Sequence, residues 1–187
     1  MGSILTIALV RVNRKPAWGT CAGLILLSES ANRTKKGGQE LIGGLDVRVN
    51  RNYFGRQTES FQAPLDLPFL ESEQTPFPAV FIRAPVVEKV MFNQEGAQTG
   101  QETIVAPSKP AAVETLVREV EILASLPGRA ARLANEGKVN ADKDTGDIVA
   151  VRQGNVFGTS FHPELTDDAR IHAWWLRQVE ESVKNKA

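Results

Sequence analysis

Short apolar runs alternate along the chain with polar, glycine-containing stretches. Ile4–Val10 is β-branched and apolar, the character of a buried strand. A turn at Asn13–Lys15 leads to Ala17-Trp18, which reads as the end of another strand. Gly19-Thr20-Cys21-Ala22-Gly23 then predicts a sharp turn, with glycines where a Cβ would clash, and Leu24–Leu27 opens an apolar helix. Ser28–Gly38 is polar, ends in Lys35-Lys36-Gly37-Gly38 and reads as a loop. After Gly43-Gly44, the alternation of Leu45, Val47 and Val49 with polar residues predicts a half-buried strand over Leu45–Arg51. Asn52–Gln57 is a turn, and Glu59–Leu67 can pair back as a strand. Phe77–Arg83 is a strand stopped by Ala84-Pro85, and Val86–Phe92 is another. Two glycines, two prolines and many Gln, Thr and Ser residues fill Asn93–Ala111, so 94–111 reads as a mobile insertion. Val113–Leu126 fits a helix, while Val120–Leu126 alone fits a strand. Arg129–Asp147 looks exposed. Asp147–Arg152 and Asn155–Phe161 predict a hairpin around Gln153-Gly154. Thr166 is placed to cap a C-terminal helix, with Asp167 and Asp168 against its dipole. The mixed apolar face of that helix includes Ile171, Trp174 and Trp175, the Trp pair being core. The pattern predicts one α/β domain over 1–187 with a largely parallel sheet.

Composition narrows the partners and the compartment. In 187 residues, Lys+Arg and Asp+Glu both number 22, so no basic face points to nucleic acid. Ile4–Val10 is too short to cross a membrane and lacks the basic residues that precede a signal-peptide core. Met1–Thr6 fits the loose myristoylation pattern and Asn32-Arg33-Thr34 a glycosylation acceptor; both read as chance matches. A single cysteine excludes an internal disulfide framework and fits a reducing, cytoplasmic setting. Two histidines, His162 and His172, and no cysteine pair argue against a structural zinc site.

The candidate chemistry lies at two distant points. A strand, a tight turn carrying Cys21 and a helix have the form of a nucleophile elbow, which places sulfur at a helix N-terminus where a thiol pKa is lowered. A lone cysteine among apolar residues is also, and more often, an inert core residue. Phe161-His162-Pro163-Glu164-Leu165 shifts that balance. In an extended segment His162 and Glu164 project to one side, and a thiol nucleophile needs a base with a group to orient it. Each alone reads more readily as a surface residue; together with Cys21 they point to a triad. His172, beside Ala173 and Trp174, has no acid at a suitable spacing and is assigned to packing or solvent.

GTCAG followed far downstream by FHPE resembles the class I, triad-type glutamine amidotransferases. Gly19–Leu27 (GTCAGLILL), Asn50–Phe61 (NRNYFGRQTESF), Phe81–Pro85 (FIRAP) and Ser160–Asp168 (SFHPELTDD) narrow the resemblance to the glutaminase subunit of pyridoxal 5′-phosphate synthase. It runs from about Lys15 to the C-terminus and implies a flavodoxin-like open sheet. It further implies Cys21 as nucleophile, His162 as general base and acid, Glu164 as orienting carboxylate, and the Ala22 N–H as an oxyanion donor. Arg51, Ile82 and Arg83 match the glutamine-contacting positions. Arg51 could hold an α-carboxylate, although an exposed loop arginine reads equally well there. The implied reaction hydrolyses L-glutamine to glutamate and ammonia and needs no metal or organic cofactor. The implied partner is a synthase subunit that takes the ammonia, in a hetro-oligomer without nucleic acid or membrane.

The family pattern also carries several tens of residues before the nucleophile strand, including a Gly-Gly-Glu-Ser loop that binds glutamine. The 14 residues before Lys15 stand in its place, which predicts an N-terminally truncated sheet and half an oxyanion hole. Two alternatives follow: a truncated, non-catalytic binding or regulatory form of the subunit, or a related γ-glutamyl cysteine hydrolase.

Overall fold

The computed structural model describes residues 15–32, 40–51, 60–70, 75–91, 103–106, 119–126 and 148–184. Its strands are β1 (Ala17–Thr20), β2 (Ser28–Asn32), β3 (Leu45–Asn50), β4 (Ser60–Leu65), β5 (Phe77–Ile82), β6 (Val86–Val90), β7 (Thr103–Val105), β8 (Glu121–Ser125), β9 (Ile148–Gln153) and β10 (Val156–Thr159). Its helices are α1 (Ala22–Leu27) and α2 (Arg170–Lys184). The expected elements at Ile4–Val10, Asn52–Gln57 and Arg129–Asp147 lie outside the described residues.

An eight-stranded sheet runs β1-β10-β9-β6-β3-β2-β7, with β8 beside β9, and β4 and β5 form a separate two-stranded sheet. Only part of the expected parallel character is present. β1 pairs parallel with β10 and β2 with β3, whereas the other described pairs are antiparallel. For one of these pairs the reason is a short connection. β9 and β10 are joined through Gly154, at φ 61°, and a two-residue turn can return a strand only antiparallel.

Several local expectations are corrected. Ser28–Asn32, read as loop, is a strand between β3 and β7. Its polarity is absorbed locally. The Ser28 hydroxyl donates to the Ile25 carbonyl at 2.7 Å, and the Asn32 amide bonds Asn50 Oδ1 at 3.3 Å. The stretch read as a mobile insertion supplies β7, which pairs antiparallel with β2. The strand alternative holds for Glu121–Ser125, which pairs with β9. On β3 the alternation is incomplete because Asp46 is buried as well. Its carboxylate accepts from Gln153 Nε2 at 2.5 Å, and its N–H donates to Gln153 Oε1 at 2.7 Å. A buried carboxylate is tolerable only with such partners.

The core divides about the strands. β10 sends Val156 to a cluster with Leu24, Leu27, Leu45, Val47 and Val151. It sends Phe157 to another with Phe77, Phe81, Phe161, Ile171 and Trp174. Trp18, Trp175 and Phe157 pack ring to ring in that second cluster. Asp168, not Thr166, serves the start of α2. It accepts from the Arg170 N–H at 3.0 Å and from the Arg170 guanidinium at 2.9 Å. That guanidinium hydrogen bond holds the Asp168 carboxyl below the usual carboxylate range. Arg170 also donates to the Thr75 carbonyl at 2.9 Å, tying α2 to the approach of β5. Among the described residues no helix is long and apolar enough to cross a membrane.

The turn from β1 into α1 needs glycine at one of its two flanks. A Cβ at Gly19 would lie 2.5 Å from the Gly23 carbonyl, a backbone atom that cannot swing aside; a Cβ at Gly23 would meet nothing within 4 Å. Gly19→Ala is therefore expected to cost about 1–3 kcal/mol of stability. Gly23→Ala, in a helix, should be neutral or stabilise by up to roughly 1 kcal/mol. Urea unfolding of both variants checks this, and a greater loss at Gly23 would contradict the close approach.

Candidate active site

Cys21 sits on the elbow with φ 46° and ψ −102°, a region that costs a non-glycine residue on the order of 1–3 kcal/mol. Neighbouring contacts enforce it. The Cys21 N–H donates to the Thr159 carbonyl at 2.7 Å, continuing the β1–β10 ladder, while its own carbonyl accepts the Ile25 N–H at 3.3 Å to begin α1. α1 is pressed onto β10, where a Cβ at Gly158 would fall 2.6 Å from Leu24 Cδ1. Chain direction thus reverses within one residue, and the sulfur is left half-buried.

The second half of the site arrives on the same edge. β10 ends at Thr159, whose partner in β1 is Thr20, and three residues later stands His162. The His162 N–H donates to the Val80 carbonyl of β5 at 2.8 Å. Two residues along β5, the Ile82 carbonyl faces Cys21 Sγ at 3.9 Å. His162 Nδ1 and Glu164 Oε1 are 2.7 Å apart. Their common side is not that of an extended segment: Pro163–Leu165 is a 3-10 turn, which folds the carboxylate back onto the ring. With Nδ1 engaged by an acceptor, the ring's proton belongs there and Nε2 is left as the basic nitrogen.

The thiol's electrostatics correct the expectation of a lowered pKa. Burial pushes the Cys21 thiol up, and the Glu164 charge adds to that; the Ala22 N–H and the Arg83 charge pull it down. α1 has six residues, too short for a strong dipole. Burial thus disfavours the thiolate at Cys21, and a base that took the proton would offset that cost.

Among the described residues Arg83 is the other non-glycine residue with positive φ, at 43°. It follows the exposed Ile82 and lies between β5 and β6. Arg51 comes to the same end of the sheet through register, since Asn50 pairs with Val86 at the start of β6. Asn32 Oδ1 accepts its N–H at 2.7 Å, so the side chain of the sequence's glycosylation-like asparagine is occupied inside the fold. Burial pushes the Arg51 guanidinium pKa down. His172 packs against Trp18, with ring centroids 5.3 Å apart. Among the described residues no group of three or more His, Cys, Asp or Glu is placed to hold a metal ion. The Val80 carbonyl was not legible as a site group, because only the β4–β5 hairpin's docking brings it to His162.

A thiol, an imidazole and a carboxylate are the groups that acyl transfer through a covalent thioester uses. Comparison with known proteins supplies the family. The chain is 39% identical over 176 residues to the probable pyridoxal 5′-phosphate synthase subunit PDX2 of Arabidopsis thaliana, covering 89% of this chain and 59% of that protein. It is 39% identical over 169 residues to the pyridoxal 5′-phosphate synthase subunit PdxT of Archaeoglobus fulgidus, covering 90% and 61%. It spans about three fifths of the length of these relatives. A crystallised glutamine amidotransferase superposes with TM-score 0.61 at 30% identity, over 95% of this chain and 68% of the other. The SNO glutamine amidotransferase family matches residues 4–114 and 121–181, reaching further toward the N-terminus than the motifs that begin at Lys15. On these grounds the chain belongs to the SNO glutamine amidotransferase family.

Proposed function

We propose that the chain is a glutaminase that hydrolyses L-glutamine to glutamate and ammonia. The observation that carries the reading is the His162–Glu164 contact of 2.7 Å at the edge of the strained Cys21 elbow. His162 Nε2 takes the thiol proton as sulfur attacks the side-chain amide carbon, and the electron pair of the C=O bond moves onto oxygen. The Ala22 N–H is the candidate donor to that oxyanion. Collapse expels the amide nitrogen, which leaves as ammonia with the proton held by His162. A water, deprotonated by His162, then cleaves the γ-glutamyl thioester and restores the thiol.

Glu164 holds the ring in the reactive tautomer and favours the imidazolium that forms in each half-reaction. Arg51 is proposed to meet the substrate α-carboxylate, and Ile82 and Arg83 to line the rest of its path. The relatives' names point to a pyridoxal 5′-phosphate synthase assembly, so the ammonia is proposed to pass to a synthase subunit bound in the cytoplasm. The test is ammonia release from L-glutamine against γ-glutamyl dipeptides, with and without a pyridoxal 5′-phosphate synthase subunit. Preference for glutamine, rising when the synthase is added, supports the proposal. Preference for the dipeptides would assign a γ-glutamyl hydrolase, and stable binding without turnover would assign a regulatory subunit.

A further inference from the structure

Thr159 is fully buried, yet each of its polar groups named below reaches toward one half of the site. Its carbonyl accepts the Cys21 N–H at 2.7 Å. Its Oγ1 accepts the Trp18 Nε1–H at 3.2 Å and donates to the Phe161 carbonyl at 3.4 Å. The direction of these bonds is forced. An indole N–H can only donate, so the hydroxyl must receive it with a lone pair, and its single proton is free for Phe161. The indole is itself fixed, packed against His172 at 5.3 Å and Trp175 at 5.8 Å.

The Phe161 carbonyl belongs to the peptide that leads into His162. Thr159 holds the oxygen of that peptide, and the Val80 carbonyl holds its N–H at 2.8 Å, so the plane from which the imidazole hangs is gripped on both edges. The circuit closes through Ile82, whose carbonyl is 3.9 Å from Cys21 Sγ. We propose that Thr159 is a positioning residue that sets the nucleophile and the base relative to one another, with Trp18 orienting its hydroxyl. This rests on the triad reading given above. Val in place of Thr159 keeps shape and burial but removes both hydroxyl bonds, which separates positioning from packing.

The chain has one cysteine, so alkylation by iodoacetamide reports Cys21 alone, whether or not glutamine turns over. At neutral pH the raised thiol depends on His162 to react; at high pH it ionises without help. Thr159→Val is expected to slow alkylation at pH 7 by roughly three- to tenfold, the scale of one lost hydrogen bond. Its rate should converge with that of the wild type above the thiol's own titration. Thr159→Ser should stay within about twofold of wild type throughout. Where glutamine turns over, kcat should fall with KM unchanged. A purely structural role would shift the rate equally at all pH values, and that result, or an unaltered Thr159→Val profile, would overturn the proposal. Should Thr159→Val fail to fold, Trp18→Phe carries the same expectation of a neutral-pH loss that disappears at high pH. His162→Ala separates the two claims. If it leaves the wild-type profile unchanged, the triad reading fails; if it alone moves the profile, only the role of Thr159 fails.

Discussion

Cys21→Ala is expected to lower kcat for glutamine-dependent ammonia release by about 10⁴–10⁶-fold, the loss typical of deleting a covalent nucleophile. No other cysteine exists to substitute for it, and a water attacking the amide directly would lack the two-step covalent route. The fold should survive. The Cys21 main-chain bonds to Thr159 and Ile25 remain, and alanine tolerates the elbow no worse than cysteine does. The check is a coupled ammonia assay beside a thermal melt. A variant that retained more than roughly a hundredth of the wild-type rate would remove Cys21 from the chemistry.

Glu164→Gln is expected to act in two opposite directions, which makes it the more discriminating change. Turnover should fall by about 10²–10⁴-fold, since an amide no longer holds the Nδ1-protonated tautomer or stabilises the imidazolium. The thiol, however, should ionise more readily. The Glu164 charge helps to push the Cys21 pKa up, so a neutral side chain lets it drop back toward the ordinary thiol value. In the alkaline range, where the thiol ionises without His162, alkylation of Cys21 should then rise at a lower pH in the variant than in the wild type, while kcat is lower at every pH. The KM for glutamine should change little. An intact kcat, or a thiol that titrates higher in the variant, would contradict the position of Glu164 beside both groups.

The parts of the fold legible in the sequence are those whose signal is local. Phe77–Ile82, Val86–Val90 and the β9–β10 hairpin at Gly154 follow from alternation and turn chemistry, and α2 from its apolar spacing. Ser28–Asn32 was not legible because its composition is that of a loop. It becomes a strand by lying between β3 and β7, with Ser28 bonded to the Ile25 carbonyl and Asn32 to Asn50 on the neighbouring strand. Asp46 has the same origin: a carboxylate on an alternating strand reads as solvent-facing until Gln153, 107 positions away, supplies its partner. The cap of α2 shifted from Thr166 to Asp168 because Arg170 draws the aspartate to the helix start.

At the site, His162 and Glu164 were legible as a pair through spacing, although the geometry that joins them is a 3-10 turn and not an extended strand. The state of the thiol was not legible. A helix N-terminus suggested a lowered pKa, but burial against a six-residue helix outweighs it. Val80, Thr159 and Trp18 gave no chemical signal at all, since backbone acceptors and a core indole acquire meaning only when β1, β5 and β10 meet.

The central claim is that glutamine's side-chain carbonyl is attacked by Cys21, and a glutamine-like diazo ketone tests it most directly. Mass spectrometry of the treated chain should find one adduct, at Cys21, slowed by excess L-glutamine and abolished in both Cys21→Ala and His162→Ala. An adduct at another residue, or labelling of Cys21 that glutamine does not slow, would contradict the account.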